Sequence, residues 1–138
     1  MADRLNVFFI VLIFIMEKTR TSELFIDEFG ILHVKVLGGV MIDLGDAADN
    51  FLVARHLTKG KPVLKLVDAR KLFKIKKEAR IFIEKENDPD KHIAKAILVG
   101  SFFTKCIKDF FLRLENPQFP VKIFTSEKEA MEWLKSFL

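Results

Sequence analysis

The order of predicted elements is the feature of this sequence that most constrains its fold. In the C-terminal two thirds, a predicted strand is followed by a predicted helix three times in succession, with strands over 63–67, 93–100 and 121–124. Each connection is short, so each helix must return the chain to the edge of the sheet from which the next strand starts. The sequence therefore predicts an α/β domain with parallel strands packed against helices.

The preceding segment predicts an antiparallel hairpin with strands over 21–27 and 31–37, joined by a turn through Glu28-Phe29-Gly30. Within the second strand, His33 and Lys35 share one face and the apolar Leu32, Val34 and Val36 share the other, as in a half-buried strand. A short strand over 40–42 follows. The predicted sheet is therefore mixed, with an antiparallel start and a parallel remainder.

The predicted helices are amphipathic. A helix capped by Asp43 and ended by Gly60 is expected to bury Leu44, Ala47, Ala48, Phe51 and Leu52. The next helix, near 76–87, has Ala79, Phe82 and Ile83 on one face. A third begins at Ser101, and a fourth follows the capping-box sequence that starts at Ser126, with Ala130, Trp133, Leu134 and Phe137 expected inside.

The N-terminal residues are set apart by an apolar run from Val7 to Met16. A membrane-spanning helix needs about 20 apolar residues, and the flanking residues lack the features of a signal peptide. Three interpretations remain open: an added buried strand, an interfacial or oligomer-forming segment, or a mis-assigned start with Met16 as the first residue. We therefore divide the chain into an apolar extension, 1–18, and a single domain, 19–138.

Composition and motifs exclude several classes of function. The net charge of +4 is mild and spread along the chain, so no nucleic-acid partner is expected. The single cysteine, Cys106, fits a reducing cytoplasm. His33, His56 and His92 lack metal-ligand spacing, and no catalytic motif is recognisable. We expect no metal, no cofactor and no enzymatic activity, and membrane association is not expected either.

The ends of the predicted parallel strands carry the candidate contact or ligand rim. Asp68 and Arg70 follow one strand, and open α/β sheets usually bind ligands at this edge. In a ligand-binding interpretation, an anion would contact Arg70 and helix N-terminal amides, with Ser101 and Ser126 as hydroxyl donors. In the structural interpretation, which we favour, Asp68 pairs with Arg70 or Arg80 and both serines cap helices.

Two further segments are candidate surfaces. The basic stretch from Lys71 to Lys77 contains Leu72, Phe73 and Ile75, which we interpret as packing residues within a solvated loop. The helix that begins at Ser101 is apolar on nearly all sides, which is typical of a helix that is sandwiched or contacts a partner. Phe102, Leu112 and Phe119 are the candidate homodimer surface.

Together, the motifs "DEFGILHVKV", "LVDARKLFKIKKEAR", "AILVGS" and "DFFLRLENPQFPVKIFTSEKEAMEWL" resemble a family of uncharacterised bacterial STAS-like or SpoIIAA-like domains. The resemblance covers about residues 20–138. It implies the fold of the anti-sigma-factor antagonists, a mixed sheet packed with about four helices. In the antagonist family, a partner kinase phosphorylates a serine at the start of the helix that follows the Asp-containing turn.

The phosphoacceptor serine is absent from this sequence. Lys76 and Lys77 occupy its place, and no Ser, Thr or Tyr lies between Thr58 and Ser101. We therefore expect a non-enzymatic, regulatory STAS-like module without a phosphoserine switch. It would act on an unidentified protein partner, with a homodimer as a candidate assembly. The alternative is a small-molecule or lipid-binding domain of SpoIIAA-like type, which an apolar cavity of roughly 300 Å³ or more would favour.

Overall fold

The computed structural model describes residues 16–86, 88, 90–100 and 118–138. Within these residues the strands are β1 (Glu17–Lys18), β2 (Ser22–Ile26), β3 (Leu32–Val36), β4 (Met41–Ile42), β5 (Val63–Asp68), β6 (Lys74–Ile75), β7 (His92–Leu98) and β8 (Val121–Phe124). The helices are α1 (Leu44–Thr58), α2 (Lys77–Lys85) and α3 (Glu127–Lys135). About four helices were predicted, and the one that begins at Ser101 lies outside the described residues.

The strands form a six-stranded mixed sheet in the order β1-β2-β3-β5-β7-β8. The first three strands are antiparallel, and β3, β5, β7 and β8 are parallel, as predicted. β4 and β6 form a separate parallel pair, in which Met41 lies opposite Lys74. The strands β1 and β6 were not predicted, because two residues are too few to show a periodic pattern.

The hairpin turn between β2 and β3 is held by Asp27. Its carboxylate accepts hydrogen bonds from the backbone N–H groups of Phe29 and Ile31, at 2.8 and 3.0 Å, and lies 2.7 Å from the ring of His33. Gly30 has a positive φ of 78°, a conformation that glycine adopts without a steric penalty. The turn predicted from Glu28-Phe29-Gly30 is thus confirmed.

The two faces of the sheet are covered by different helices. α3 packs on the face that carries Leu64, Leu66 and Leu98, through its buried Ala130 and Leu134. α1 covers the opposite face, where Val53, Ala54 and Leu57 contact a cluster that includes Leu24, Leu32 and Val34. α2 joins α1 on this second face, packing Ala79, Phe82 and Ile83 inward as predicted.

Helix α1 is rotated relative to the prediction. Leu44 and Leu52 were expected inside but are 49% and 60% exposed, whereas Ala47 is buried. The rotation follows from Asn50, whose side chain points inward and contacts the hydroxyls of Thr19, Thr21 and Ser22. A hydrogen-bonded polar residue, rather than the leucines, therefore determines which side of α1 faces the sheet.

The ends of the helices agree with the sequence signals, with one correction. Asp43 and Asp46 form a capping box at the start of α1, and Lys59 and Gly60 both adopt positive φ after its end. Phe137, expected inside with the last helix, is 38% exposed, because α3 ends at Lys135 and the ring lies beyond it.

None of the described helices is long and apolar enough to cross a membrane. The apolar run from Val7 to Ile15, together with Ser101, Phe102, Cys106 and Leu112, lies outside the described residues.

Candidate functional site

Asp68 and Arg70 form a closed ion pair where β5 ends. The Arg70 guanidinium donates to both carboxylate oxygens of Asp68, through Nε at 3.0 Å and a terminal nitrogen at 2.7 Å, and the Arg70 backbone N–H donates at 3.1 Å. A terminal nitrogen of Arg70 also lies 3.6 Å from Glu127 at the start of α3. Both groups are thus already satisfied by each other, without any ligand.

The pKa shifts of Asp68 and Arg70 both favour the charged, paired forms of these side chains. Burial acts to raise the pKa of Asp68, but the bonds from the Arg70 side chain and backbone outweigh it and hold that pKa below its ordinary value. The same carboxylate raises the pKa of Arg70. Asp68 therefore stays ionised and paired, and the geometry matches the structural interpretation of the rim.

The other predicted rim residues lie around this pair or apart from it. Ser126 caps α3, its hydroxyl accepting from the Glu129 backbone N–H at 3.3 Å. Arg80 lies on α2 and is not paired with Asp68; its buried Nε has no hydrogen-bond partner among the residues that the structure describes. Phe119, a candidate for the dimer surface, is only 6% exposed and stacks on the ring of His92, with centroids 4.7 Å apart.

In the basic stretch from Lys71 to Lys77, one of the three predicted packing residues is exposed instead. Leu72 and Ile75 pack against the cluster that contains Val36 and Ala79, as expected of packing residues. Phe73, however, is 69% exposed. The basic loop therefore presents an aromatic ring to solvent between Lys71 and Lys74, both of which are exposed as well.

A cavity of about 270 Å³ lies between the sheet and the two helices α1 and α2. Its walls are mainly apolar side chains, and those at one end are fully buried. This apolar end is formed by Val36, Ile42, Ala47, Ala69 and Ile97. It lies near the carboxyl edge of the sheet, which we define as the edge where the parallel strands end.

The opposite end of the cavity lies near the amino edge, where the parallel strands begin. The exposed residues among the described part of the lining are Arg55, Gly60 and Lys61, and all three are found here. We call this set the cavity mouth. The cavity thus runs along the sheet from a solvent-accessible end at the amino edge to a closed apolar end.

Two lysines lie side by side on the sheet face that forms the cavity wall. Lys65 in β5 is the register partner of Lys95 in β7, and both line the cavity. Part of the Lys65 side chain remains accessible because it faces the cavity. Protein atoms nevertheless surround the residue, so its ammonium group lies deep in the domain. Desolvation lowers its pKa to about 8, and burial together with Lys65 lowers the pKa of Lys95 well below its ordinary value.

His92 and Lys91 complete the polar side of the cavity. Burial, reinforced by the charges of Lys65 and Lys95, lowers the pKa of His92 to about 3, so its imidazole is neutral at physiological pH. Its Nδ1 lies 3.0 Å from the backbone carbonyl oxygen of Asp88. Lys91 pairs with Glu86 at 2.9 Å, and its ammonium lies 4.6 Å from the centroid of the Phe51 ring.

This arrangement can hold a small organic molecule, and its mouth lies at the amino edge, opposite to the edge that carries Asp68 and Arg70. The signal for it was present in the strand sequences "VLKLV" and "IAKAILV", each of which carries a lysine within an apolar run. Among the described residues there is no cluster of three or more His, Cys, Asp or Glu side chains that could hold a metal ion.

Comparison with solved structures confirms the fold. The chain is similar to the crystal structure of an uncharacterised protein of the DUF3478 family, with a SpoIIAA-like fold, from Shewanella loihica PV-4. The TM-score is 0.56 at 15% sequence identity, and the match covers 86% of this chain and 90% of that protein. At this identity the likeness establishes the fold alone.

A search of curated proteins finds no match to the sequence. A family model does match, over residues 24–138, and its description is a domain of unknown function, DUF7793. Because this match spans most of the chain, including every element from β3 to α3, the protein belongs to the DUF7793 family and has a SpoIIAA-like fold.

Proposed function

We propose that this domain is a non-enzymatic binding module that holds a small molecule in the cavity between α1, α2 and the sheet. The observation that carries the proposal is the cavity itself, about 270 Å³ of space with buried apolar walls and an accessible mouth. Native cores are close-packed, and voids larger than a water molecule are few. A space of this size in a small domain is therefore better explained by an occupant than by packing.

The volume limits the class of ligand. It lies just below the range of roughly 300–1,000 Å³ that is usual for drug-sized ligands. An engineered apolar cavity of about 150 Å³ accommodates benzene, so by proportion this cavity holds roughly ten non-hydrogen atoms. A two-chain membrane lipid is far larger. The lipid-carrier alternative thus narrows to a single-chain or single-ring compound.

A matched pair of variants tests this function. Ala47→Leu adds bulk to the cavity wall, whereas Ala48→Leu adds the same bulk one residue along α1, at a position that does not line the cavity. We expect 1-octanol or octanoate to shift the methyl NMR signals of Val67 and Ile97 in the wild-type protein and in Ala48→Leu. In Ala47→Leu the affinity should fall at least about 10-fold, since the space is filled. Equal binding by both variants would rule out the cavity as the site.

A second candidate function is the protein contact expected from the STAS-like resemblance. The observation that favours it is Phe73, 69% exposed in a basic loop next to the Asp68–Arg70 pair. Aromatic residues are enriched in protein interfaces relative to the rest of the protein surface. Phe73→Ser should then abolish capture of a specific acidic partner while leaving octanoate binding unchanged. Identical capture by the wild-type protein and Phe73→Ser would argue against this surface.

A further inference from the structure

The cavity lining is strongly uneven in charge. Its described residues include five cationic side chains, Arg55, Lys61, Lys65, Lys91 and Lys95, against a single carboxylate, Glu86. That carboxylate is already paired with Lys91 at 2.9 Å. The lining therefore offers positive charge to whatever occupies the cavity, and the charge is concentrated towards the amino edge, where β5 and β7 begin.

Some of these cations have an ordinary structural explanation. Arg55 lies in the last turn of α1 and Lys61 just beyond it, where positive side chains complement the partial negative charge of a helix C-terminus. Lys65 has no such explanation. It lies within a strand, beside Leu32 on one neighbouring strand and Lys95 on the other, and its side chain forms no hydrogen bond or ion pair with any described residue.

An ammonium group held deep in a protein without a counter-charge destabilises the fold. Lys65 also faces the cavity, so an anion placed there would reach it directly. Building on the proposed function, we infer that the ligand is a single-chain organic anion whose carboxylate or phosphate binds Lys65, and whose apolar part points towards Val67, Ile97 and Ala69.

The dimensions of the strand agree with such a ligand. Val67 lies two residues beyond Lys65 in β5 and Ala69 four residues beyond it, all three lining the cavity. At about 3.3 Å per residue, the apolar end begins roughly 7 Å from Lys65 and extends to roughly 13 Å. A chain of about eight carbons with a terminal acid group spans this distance and matches the volume of about 270 Å³.

The test compares octanoate with its neutral counterpart 1-octanol, by isothermal titration calorimetry on the full-length protein at neutral pH. We expect octanoate to bind roughly 10-fold or more tightly than 1-octanol, the size of a charge-assisted hydrogen bond. Lys65→Met should remove this preference by weakening octanoate alone. Lys65→Arg should retain it, and so should Lys85→Met, which removes an exposed cation that does not line the cavity.

The outcomes separate this inference from the function on which it rests. If neither octanoate nor octyl phosphate bound more tightly than 1-octanol, the inferred acid group would be overturned, while the cavity would remain a binding site. Unchanged octanoate binding in Lys65→Met would place the acid group elsewhere and overturn the inference. Binding of neither compound would refute both. Octyl phosphate, titrated in parallel, identifies which acid group is preferred, and preference for either acid over 1-octanol supports the inference.

Discussion

The two edges of the parallel sheet differ in how their charged side chains are paired. At the carboxyl edge, Asp68 and Arg70 satisfy each other through three hydrogen bonds. Near the amino edge, Lys65 and Lys95 lie side by side on adjacent strands, and both have lowered pKa values. Asp68 and Arg70 thus neutralise each other, whereas Lys65 has no counter-charge among the residues that the structure describes.

The contrast favours the cavity over the carboxyl edge as the candidate binding site. The carboxyl edge is where parallel sheets usually bind ligands, yet here Asp68 and Arg70 are already paired with each other. The amino edge has the opposite combination, with space, an accessible mouth and an excess of positive charge. The proposed site is therefore chosen by the state of the charges rather than by their place in the topology.

The largest effect should come from acidification, through His92. Its pKa is about 3 in the folded protein and 6.5 when unperturbed, so between these values only the unfolded chain takes up the proton. The free energy of unfolding is therefore not reduced by His92 above about pH 6.5. It falls by on the order of 4 kcal/mol as the pH is lowered towards 3. His92→Phe, which preserves stacking on Phe119, should lack this loss in urea unfolding at several pH values. Parallel losses in both proteins would contradict the assignment.

The next largest effect is expected from Lys65→Met, which should stabilise the fold. Folded Lys65 has a pKa of about 8 against 10.5 unperturbed, so holding it protonated at neutral pH costs up to about 3 kcal/mol. This cost is present below pH 8 and disappears as the pH rises from 8 to 10.5. The variant should unfold at a higher urea concentration than the wild type at neutral pH, with the difference shrinking near pH 10.

Lys85→Met is the matched control, because Lys85 is exposed on α2. Its free energy of unfolding should stay within about 0.5 kcal/mol of the wild type at both pH values. A stability loss in Lys65→Met at neutral pH would show that the lysine supports the fold, and the comparison between the two edges would fail.

The smallest effect is expected at the carboxyl edge. Asp68→Asn should lower the free energy of unfolding by about 1 kcal/mol, because Arg70 is 42% exposed and is partly solvated without its partner. The lowered pKa of Asp68 means that this contribution exists above about pH 4 and is lost below it. Octanoate affinity should not change. If Asp68→Asn lowered the octanoate affinity as much as Lys65→Met does, both edges would belong to one binding site, and the comparison between them would fail.

Much of the fold was predictable because local patterns and topology agree. The alternation of Leu32, Val34 and Val36 against His33 and Lys35 identified the buried face of β3, and Asp43 marked the start of α1. The structural interpretation of Asp68 named Arg70 or Arg80 as its partner. The structure selects Arg70, two residues away, because the turn after β5 brings the two side chains together.

The cavity was not predictable in the same way. A run such as "VLKLV" reads as a buried strand, and nothing in it tells whether its lysine meets a counter-charge, water or a cavity. The rotation of α1 was hidden for a similar reason. Its apolar residues lie on several sides, and only the hydrogen bonds of Asn50 to the β2 region determine which of them face the sheet.

Lys65 has no counter-charge in the described part of the chain, and this has a consequence for how the family evolves. The genetic code separates a lysine codon from methionine or isoleucine by one nucleotide, so the stabilising replacement is always within reach of a single mutation. Selection for stability alone would accept it readily. Lineages that still bind an organic acid are therefore expected to keep a cation at this position of the strand, and lineages that have lost the ligand to carry an aliphatic residue there.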